Sequence, residues 1–169
     1  EKARARFEME TTEAANRIEA ETMEEFGKVY AVGPTRVQFQ NKDPRGWKEF
    51  ETRFRGHSSR GSANTMRGVQ RRRPSLYDLE DKMKELVVPM LIINGDEDEP
   101  CLDVGLFMKR IIRSSALVHL PQTGHACNLE EPGLFNQFCD DFFHQVETGH
   151  WRLRDPRSIS SGILSTTDD

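Results

Sequence analysis

The stretch that decides the fold is VVPMLIINGDEDEP, residues 87–100. Its first eight residues, Val87–Asn94, form a short apolar run rich in valine and isoleucine, which is typical of a parallel strand covered on both faces. Gly95, four acidic residues and a proline follow. Because open α/β sheets bind their ligands at the carboxyl ends of their strands, we predict a buried strand that ends in a functional loop.

The same pattern recurs downstream of this loop. Residues 102–114 have the apolar spacing of a helix, and ALVHL, residues 116–120, predicts a second short strand. A closing helix over residues 131–146 is predicted from one apolar stripe of Phe135, Phe138, Phe142 and Val146. Strand, helix and strand in this order imply parallel pairing with a right-handed crossover.

The first 86 residues are predicted to be mostly helical. Apolar residues recur with a helical period up to Tyr30, and Gly33-Pro34 ends that helix. A turn is predicted at 43–46, a short helix around Trp47, Phe50 and Phe54, and a loop at 56–64. Residues 63–86 are predicted to be helical with a break at Pro74.

Composition narrows the classes of function. The chain has 169 residues and a net charge of −4, which gives no indication of a nucleic-acid partner. No apolar run approaches the ~20 residues of a membrane span. Three cysteines without framework spacing favour a reducing, cytoplasmic location. Because the chain begins with Glu1 and has no initiator methionine, we expect a fragment of a longer protein.

Two loops carry the candidate chemistry. The first holds Asp96 and Asp98, and the second, PQTGHACNLEEP at residues 121–132, holds His125. Loops that follow neighbouring parallel strands emerge ~4.8 Å apart at one sheet edge, so a carboxylate and the imidazole can meet there. A carboxylate bound to one ring nitrogen leaves the other free to accept a proton. Asp98 is the preferred partner of His125, and Asp96 is the alternative.

These residues resemble the C-terminal part of the α/β-hydrolase superfamily. That family has a strand ending in G-x-x-D, here Gly95 to Asp98, and a later G-H, here Gly124-His125, followed by a helix that begins with Glu131-Pro132. The interval of 27 residues from Asp98 to His125 also suits the family. The resemblance implies an α/β fold in three parts: a helical cap (1–86), a C-terminal portion of the core with two parallel strands (87–150), and a tail (151–169).

The family's nucleophile is absent from this sequence. The motif G-x-S-x-G has no match, and GHSSRG at residues 56–61 is its nearest imitation. Charged residues precede Ser58 where the motif needs a buried strand, so Ser58 is a weak candidate. We expect the serine to lie upstream of the chain.

The resemblance implies a serine hydrolase that uses Asp98 and His125, needs no cofactor and acts on a small apolar acyl or ester compound. Phe26, Trp47, Phe50 and Met66 are candidate pocket residues, although packing in the helical core explains them as well. A catalytically inactive binding remnant, which would associate through its open sheet edge, is the alternative. No metal site is predicted, because Cys101 and Cys127 lack the tight spacing of zinc ligands.

Overall fold

The computed structural model describes residues 2–159. Its first part, called here the helical region (residues 2–86), contains five α-helices: α1 Lys2–Tyr30, α2 Val37–Lys42, α3 Pro44–Arg55, α4 Ser59–Thr65 and α5 Glu80–Lys84. A π-helical turn at Met66–Gln70 and a 3-10 turn at Leu76–Leu79 connect α4 to α5. The helical character predicted for this part of the sequence is confirmed.

The second part, the strand region (residues 87–150), alternates strands and helices. Its elements are β1 Met90–Gly95, α6 Glu99–Ile111, β2 Ser115–Leu120, α7 Cys127–Glu130 and α8 Pro132–Glu147, and a 3-10 turn at Pro156–Ile159 follows it. The two strands pair in parallel, from Met90 opposite Ser115 to Gly95 opposite Leu120. The predicted fold class is confirmed, with two parallel strands and helices preceded by a mostly helical region.

The apolar core is concentrated in the helical region. Ile18, Met23 and Phe26 of α1 pack with Ala15 and Ala63, and all five are buried. Thr22 has φ +76° and kinks α1 next to Met23. The Met23 amide donates to Ser59 Oγ at 2.9 Å, so α4 satisfies a backbone group that the kink frees from the helix.

Two local predictions in the helical region are wrong. Residues 43–46 do not form a separate turn, because Asp43 caps α3 and accepts a hydrogen bond from the Gly46 amide at 2.9 Å. Pro44 suits the first helical position, where no amide donor is needed. The predicted loop at 56–64 instead contains the start of α4, capped by Ser58. In both places a residue expected in a turn begins a helix.

The strand region is less covered than its sequence predicts. β1 begins at Met90, and Val87 and Val88 before it are 70% and 63% exposed. Pro89 has no amide to donate to a neighbouring strand, which explains the later start. Within β1 only Ile92 and Gly95 are buried, so the expected burial on both faces is wrong for the described residues. A sheet of two strands is too small to cover its own apolar faces.

Residues 151–159 pack against the strand region. Trp151 Nε1 donates to the Ser114 carbonyl at 2.7 Å, and its ring meets Phe142 edge-on at 4.8 Å. The Arg154 amide donates to the Arg113 carbonyl at 2.8 Å. The rest of the predicted tail, residues 160–169, lies outside the described residues. Among residues 2–159, no helix has both the length and the apolar character needed to cross a bilayer.

Candidate active site

The two loops predicted to carry chemistry lie side by side at the carboxyl edge of the sheet. The Asp96 amide donates to the Leu120 carbonyl at 3.0 Å, and the Glu97 amide donates to the Thr123 carbonyl at 2.9 Å. Gly95 allows this approach, because a Cβ atom there would clash with the carbonyl oxygens of Thr123 and Gly124. The absence of a side chain at Gly95 therefore permits the close approach of the two loops.

Asp98 and His125 contact each other across these loops. Asp98 Oδ2 lies 2.9 Å from His125 Nδ1, which is hydrogen-bonding distance. The Asp98 side chain is 6% exposed, whereas that of His125 is 43% exposed. A buried carboxylate thus holds one ring nitrogen while the imidazole stays accessible. This arrangement can orient the ring for proton transfer at Nε2.

Asp96, the alternative acid, has a different position. Its side chain is exposed, and Oδ1 accepts a hydrogen bond from the Thr123 amide at 3.1 Å. That backbone hydrogen bond is the main reason why the pKa of Asp96 lies below its usual value. Asp96 therefore connects the loop after β1 (the acidic loop, residues 96–98) to the loop at residues 121–132 (the histidine loop), and Asp98 is the carboxylate that contacts the ring.

Glu130 is a site residue that the sequence reasoning missed. Its carboxylate is buried; Oε2 accepts from the Gly124 amide at 2.6 Å and Oε1 accepts from the Ala126 amide at 3.1 Å. These two amides flank His125, so one carboxylate fixes the backbone on both sides of the imidazole. The sequence signal was a glutamate in the short stretch between His125 and Pro132, but nothing in the pattern separates it from the half-exposed Glu131 next to it.

Residues of the helical region reach the site through α2. Lys42 Nζ donates to Thr123 Oγ1 at 3.1 Å and pairs with Glu131, while Gln38 contacts Glu97. These contacts connect α2 to both loops. They place the helical region against the edge of the sheet at which Asp98 and His125 meet.

A cavity of about 210 Å³ opens beside His125. Its walls combine the helical region and the histidine loop; among the lining residues are Arg36, Phe39, Phe50 and Leu129. A second cavity of about 350 Å³ is also lined by Phe39, Phe50 and Leu129. Phe39, Phe50 and Leu129 give both cavities an apolar part beside their polar lining residues, and such a mixed lining is common in small-molecule sites.

The four predicted pocket residues have different positions. Phe50 lines both of these cavities. Phe26 lies in the helical core, and Met66 packs against that core. Trp47 donates through Nε1 to the Ala31 carbonyl at 2.7 Å. Phe50 is therefore the one of the four that lines the cavity beside His125.

The surroundings of Ser58 differ from a nucleophile elbow. Ser58 follows helix α3 and begins helix α4, and its hydroxyl accepts a hydrogen bond from the Gly61 amide at 3.2 Å. An elbow serine instead lies between a strand and a helix, with its hydroxyl directed at the active site. Ser58 acts here as a helix cap.

One cluster in the described residues has the chemistry of metal ligands. Asp98, Cys101 and His125 each offer one ligand atom, and these atoms lie within 4.8 Å of one another. Cys101 is in the first turn of α6, three residues after Asp98. No metal site was predicted from the sequence, because Cys101 and Cys127 lack the tight spacing of zinc ligands.

The chain is similar in sequence to one known protein and in fold to another. No family model matches the sequence. Over 87 residues the chain is 29% identical to a putative 2-succinyl-6-hydroxy-2,4-cyclohexadiene-1-carboxylate synthase of Bacillus subtilis, a match that covers 51% of this chain and 31% of that protein. The solved structure of MenH from S. aureus superposes with a TM-score of 0.79 at 18% identity, and the match covers 86% of this chain.

That match covers 54% of the MenH chain, so this chain spans about half the length of its structural relative. The MenH structure has an α/β-hydrolase fold. The chain therefore has part of an α/β-hydrolase fold, which confirms the resemblance seen in its sequence.

Proposed function

We propose that Asp98 and His125 are the acid and the base of a catalytic triad in an α/β-hydrolase-fold enzyme. The enzyme acts on a small-molecule substrate, and its nucleophile is a serine outside this chain. The observation that carries the proposal is the distance of 2.9 Å between the buried Asp98 carboxylate and the accessible His125 ring. The order of acid before histidine along the chain also agrees with this fold.

The geometry supports a separate catalytic role for each of the two side chains. His125 Nδ1–H donates to Asp98 Oδ2, which leaves Nε2 without a proton and able to act as a base. Nε2 takes the proton of the serine hydroxyl as the serine oxygen attacks a carbonyl carbon. Asp98 stabilises the imidazolium that forms, and the ring then gives its proton to the leaving group. Glu130 holds the backbone of His125 in place during these steps.

The proposal assigns the nucleophile to the part of the fold that the chain does not contain. No G-x-S-x-G is present in the sequence. The matches cover 31% of the synthase and 54% of the MenH chain. The unmatched part of each relative is long enough to contain the strand, turn and helix that carry such a serine. In the same division, residues 1–86 act as a cap over the site and residues 87–150 belong to the core. The cavity beside His125 supports that assignment, because Phe39 and Phe50 of the helical region form part of its wall.

Hydrolysis of an ester or related acyl compound is the first candidate reaction. The apolar walls beside His125 suit an acyl chain or ring. A second candidate is the reaction of the synthase matched above, because that relative aligns over 51% of this chain. The product named for that synthase carries carboxylate groups. Calorimetric binding of this product to the full-length protein would support the second candidate, whereas turnover of short p-nitrophenyl esters would support the first.

The decisive test uses the full-length product of the gene, first with esters and then with other acyl compounds. Asp98→Asn should lower kcat by up to ~10⁴, because an asparagine stabilises the wrong ring tautomer. His125→Ala should abolish turnover. Asp103→Asn, at an exposed position on α6, is the matched control and should leave kcat unchanged. Asp96→Asn tests the alternative acid and should have a much smaller effect than Asp98→Asn.

The isolated 169-residue chain provides a second arm of this test. It should hydrolyse p-nitrophenyl esters no faster than its His125→Ala variant, since the pair has no serine to activate. Turnover that Ser58→Ala abolishes would place the nucleophile within the chain and refute the proposal. If neither Asp98→Asn nor His125→Ala changes the turnover of the full-length protein, that result would favour the inactive binding remnant instead.

A further inference from the structure

We propose that Asp98, Cys101 and His125 bind a single Zn²⁺ ion or another thiophilic divalent cation. Carboxylate, thiolate and imidazole are the three side-chain ligand types that zinc uses in proteins. Their ligand atoms lie within 4.8 Å of one another: Asp98 and Cys101 are at the start of α6, and His125 is in the loop at residues 121–132. The site shares Asp98 and His125 with the proposed acid–base pair, and Cys101 adds a thiol that the proposed catalytic steps do not use.

The distances are close to those that zinc requires. Zinc bonds of about 2.0–2.3 Å in a tetrahedron hold neighbouring ligand atoms roughly 3.3–3.7 Å apart. Asp98 Oδ2 and His125 Nδ1 are 2.9 Å apart, while Cys101 Sγ and His125 Nδ1 are 4.0 Å apart. One separation must therefore widen and the other must shorten, each by less than about 1 Å. Rotation of the Cys101 side chain at the start of α6 can supply the second change.

Asp98 has an unused acceptor at this site. Its Oδ1 atom is buried and has no hydrogen-bond partner among the described residues. A buried carboxylate oxygen without a partner is costly, because it has lost water and gained nothing in return. A cation held by Asp98 would compensate for that cost. The exposed His125 ring leaves a path for the ion and room for water as a fourth ligand.

Metal binding at this site requires the Cys101 thiol to lose its proton. Burial, together with the neighbouring Asp98 carboxylate, raises the pKa of Cys101 to about 12. Binding therefore breaks the S–H bond, forms a bond between sulfur and the metal, and releases one proton to solvent. The cation favours this exchange because its two positive charges stabilise the thiolate, whereas the negative charge of the Asp98 carboxylate destabilises it.

The metal also changes the tautomer of His125. Coordination at Nδ1 requires that nitrogen to be unprotonated, so the neutral ring must carry its proton on Nε2. Nε2–H can no longer accept a proton from a nucleophile. The bound ion would therefore inhibit the enzyme, and this consequence alone rests on the proposed function.

Cobalt(II) is the probe that tests the site in the 169-residue chain without an activity assay. One Co²⁺ per chain should bind and give the near-ultraviolet charge-transfer absorption of a cobalt–thiolate bond. Cys101→Ser should remove that absorption and weaken Zn²⁺ binding at least ~10-fold, as measured by competition with a chromophoric chelator. Cys127→Ser, in the histidine loop but outside the cluster, is the matched control and should keep both signals.

The outcomes separate the site from its consequence. Absence of a thiolate absorption, or its survival in Cys101→Ser, would overturn the proposed metal site. An absorption lost in Cys127→Ser but kept in Cys101→Ser would assign the thiolate to the wrong residue and also refute it. A normal cobalt spectrum in a full-length protein that shows no catalytic dependence on His125 would leave the metal site standing and refute only the proposed function.

Discussion

The helical region and the strand region bury apolar and polar side chains in different proportions. Most of the buried apolar residues, including Ile18, Met23 and Phe39, belong to the helical region. The strand region buries more polar residues, namely Asp98, Ser114, Ser115, Thr123 and Glu130, than the helical region, which buries Thr11 and Glu51. Three of these five position or orient His125, either directly or through the backbone of its loop.

This difference shows where stability and chemistry are located. Burial of apolar area supplies most of the free energy of folding, so the helical region has the larger share. A buried polar group stabilises only when its hydrogen bonds are complete, and it then fixes one geometry. The strand region accordingly provides a defined arrangement of polar groups. The contrast predicts that the two regions will respond differently to substitution.

The largest effect on folding is expected from Ile18→Ala in the helical core. Ile18 is fully buried, and its truncation should lower the free energy of unfolding by about 2–5 kcal/mol because it leaves a cavity. Met9→Ala, on the exposed side of the same helix, should change it by less than about 0.5 kcal/mol. Urea denaturation of both variants checks this, and equal effects would refute a core centred on α1.

A smaller but specific effect is expected from Glu130→Ala. Two backbone amides beside His125 lose their acceptor, which should lower the free energy of unfolding by about 1–3 kcal/mol. Glu131→Ala, which breaks an exposed pair with Lys42, should cost no more than about 1 kcal/mol. Denaturation curves that rank the two variants in the opposite order would contradict the role of Glu130.

Helix α8 should respond only moderately to truncation. A fully buried phenylalanine would cost ~3–5 kcal/mol on truncation to alanine, as the sequence pattern suggests for Phe138 and Phe142. The structure leaves Phe138 half-buried, so we expect roughly 1–2 kcal/mol. Phe143→Ala, at an exposed position on the same helix, should cost less than about 0.5 kcal/mol. A full core-like loss at Phe138 would show that α8 is covered more completely.

The smallest effect is a pH dependence at Asp96. The Thr123 amide lowers the pKa of Asp96 in the folded state. Its contribution to stability is therefore present above the unfolded pKa of about 4 and is lost as the pH falls through the folded value. The stability difference between wild type and Asp96→Asn should shrink between about pH 6 and pH 3. A constant difference over that range would show that the carboxylate charge is not responsible.

Short-range patterns predicted the elements that carry the site. The apolar run ending at Asn94 and the strand ending at Leu120 are both present, and the parallel pairing follows from the connection between them. Gly95, Asp98 and His125 were identifiable because the motif has a fixed order and spacing. The contact between the two side chains was expected for the same reason, and the structure gives its distance.

Features that depend on three-dimensional packing were not predictable in this way. Glu130 resembles Glu131 in sequence, and only the loop conformation directs its carboxylate at two amides. The Cys101 cluster likewise forms from residues 24 positions apart. The exposed valines before β1 were misjudged because an apolar run predicts burial without indicating which element provides the cover.

The tautomer of His125 tests the central claim most directly. NMR of the chain with ¹⁵N-labelled histidine, at a pH where the ring is neutral and with a chelator present, shows which nitrogen carries the proton. We predict a proton on Nδ1 in the wild type, and a shift of the proton toward Nε2 in Asp98→Asn. A wild-type ring already protonated on Nε2, or one unaffected by Asp98→Asn, would contradict the proposed acid–base pair.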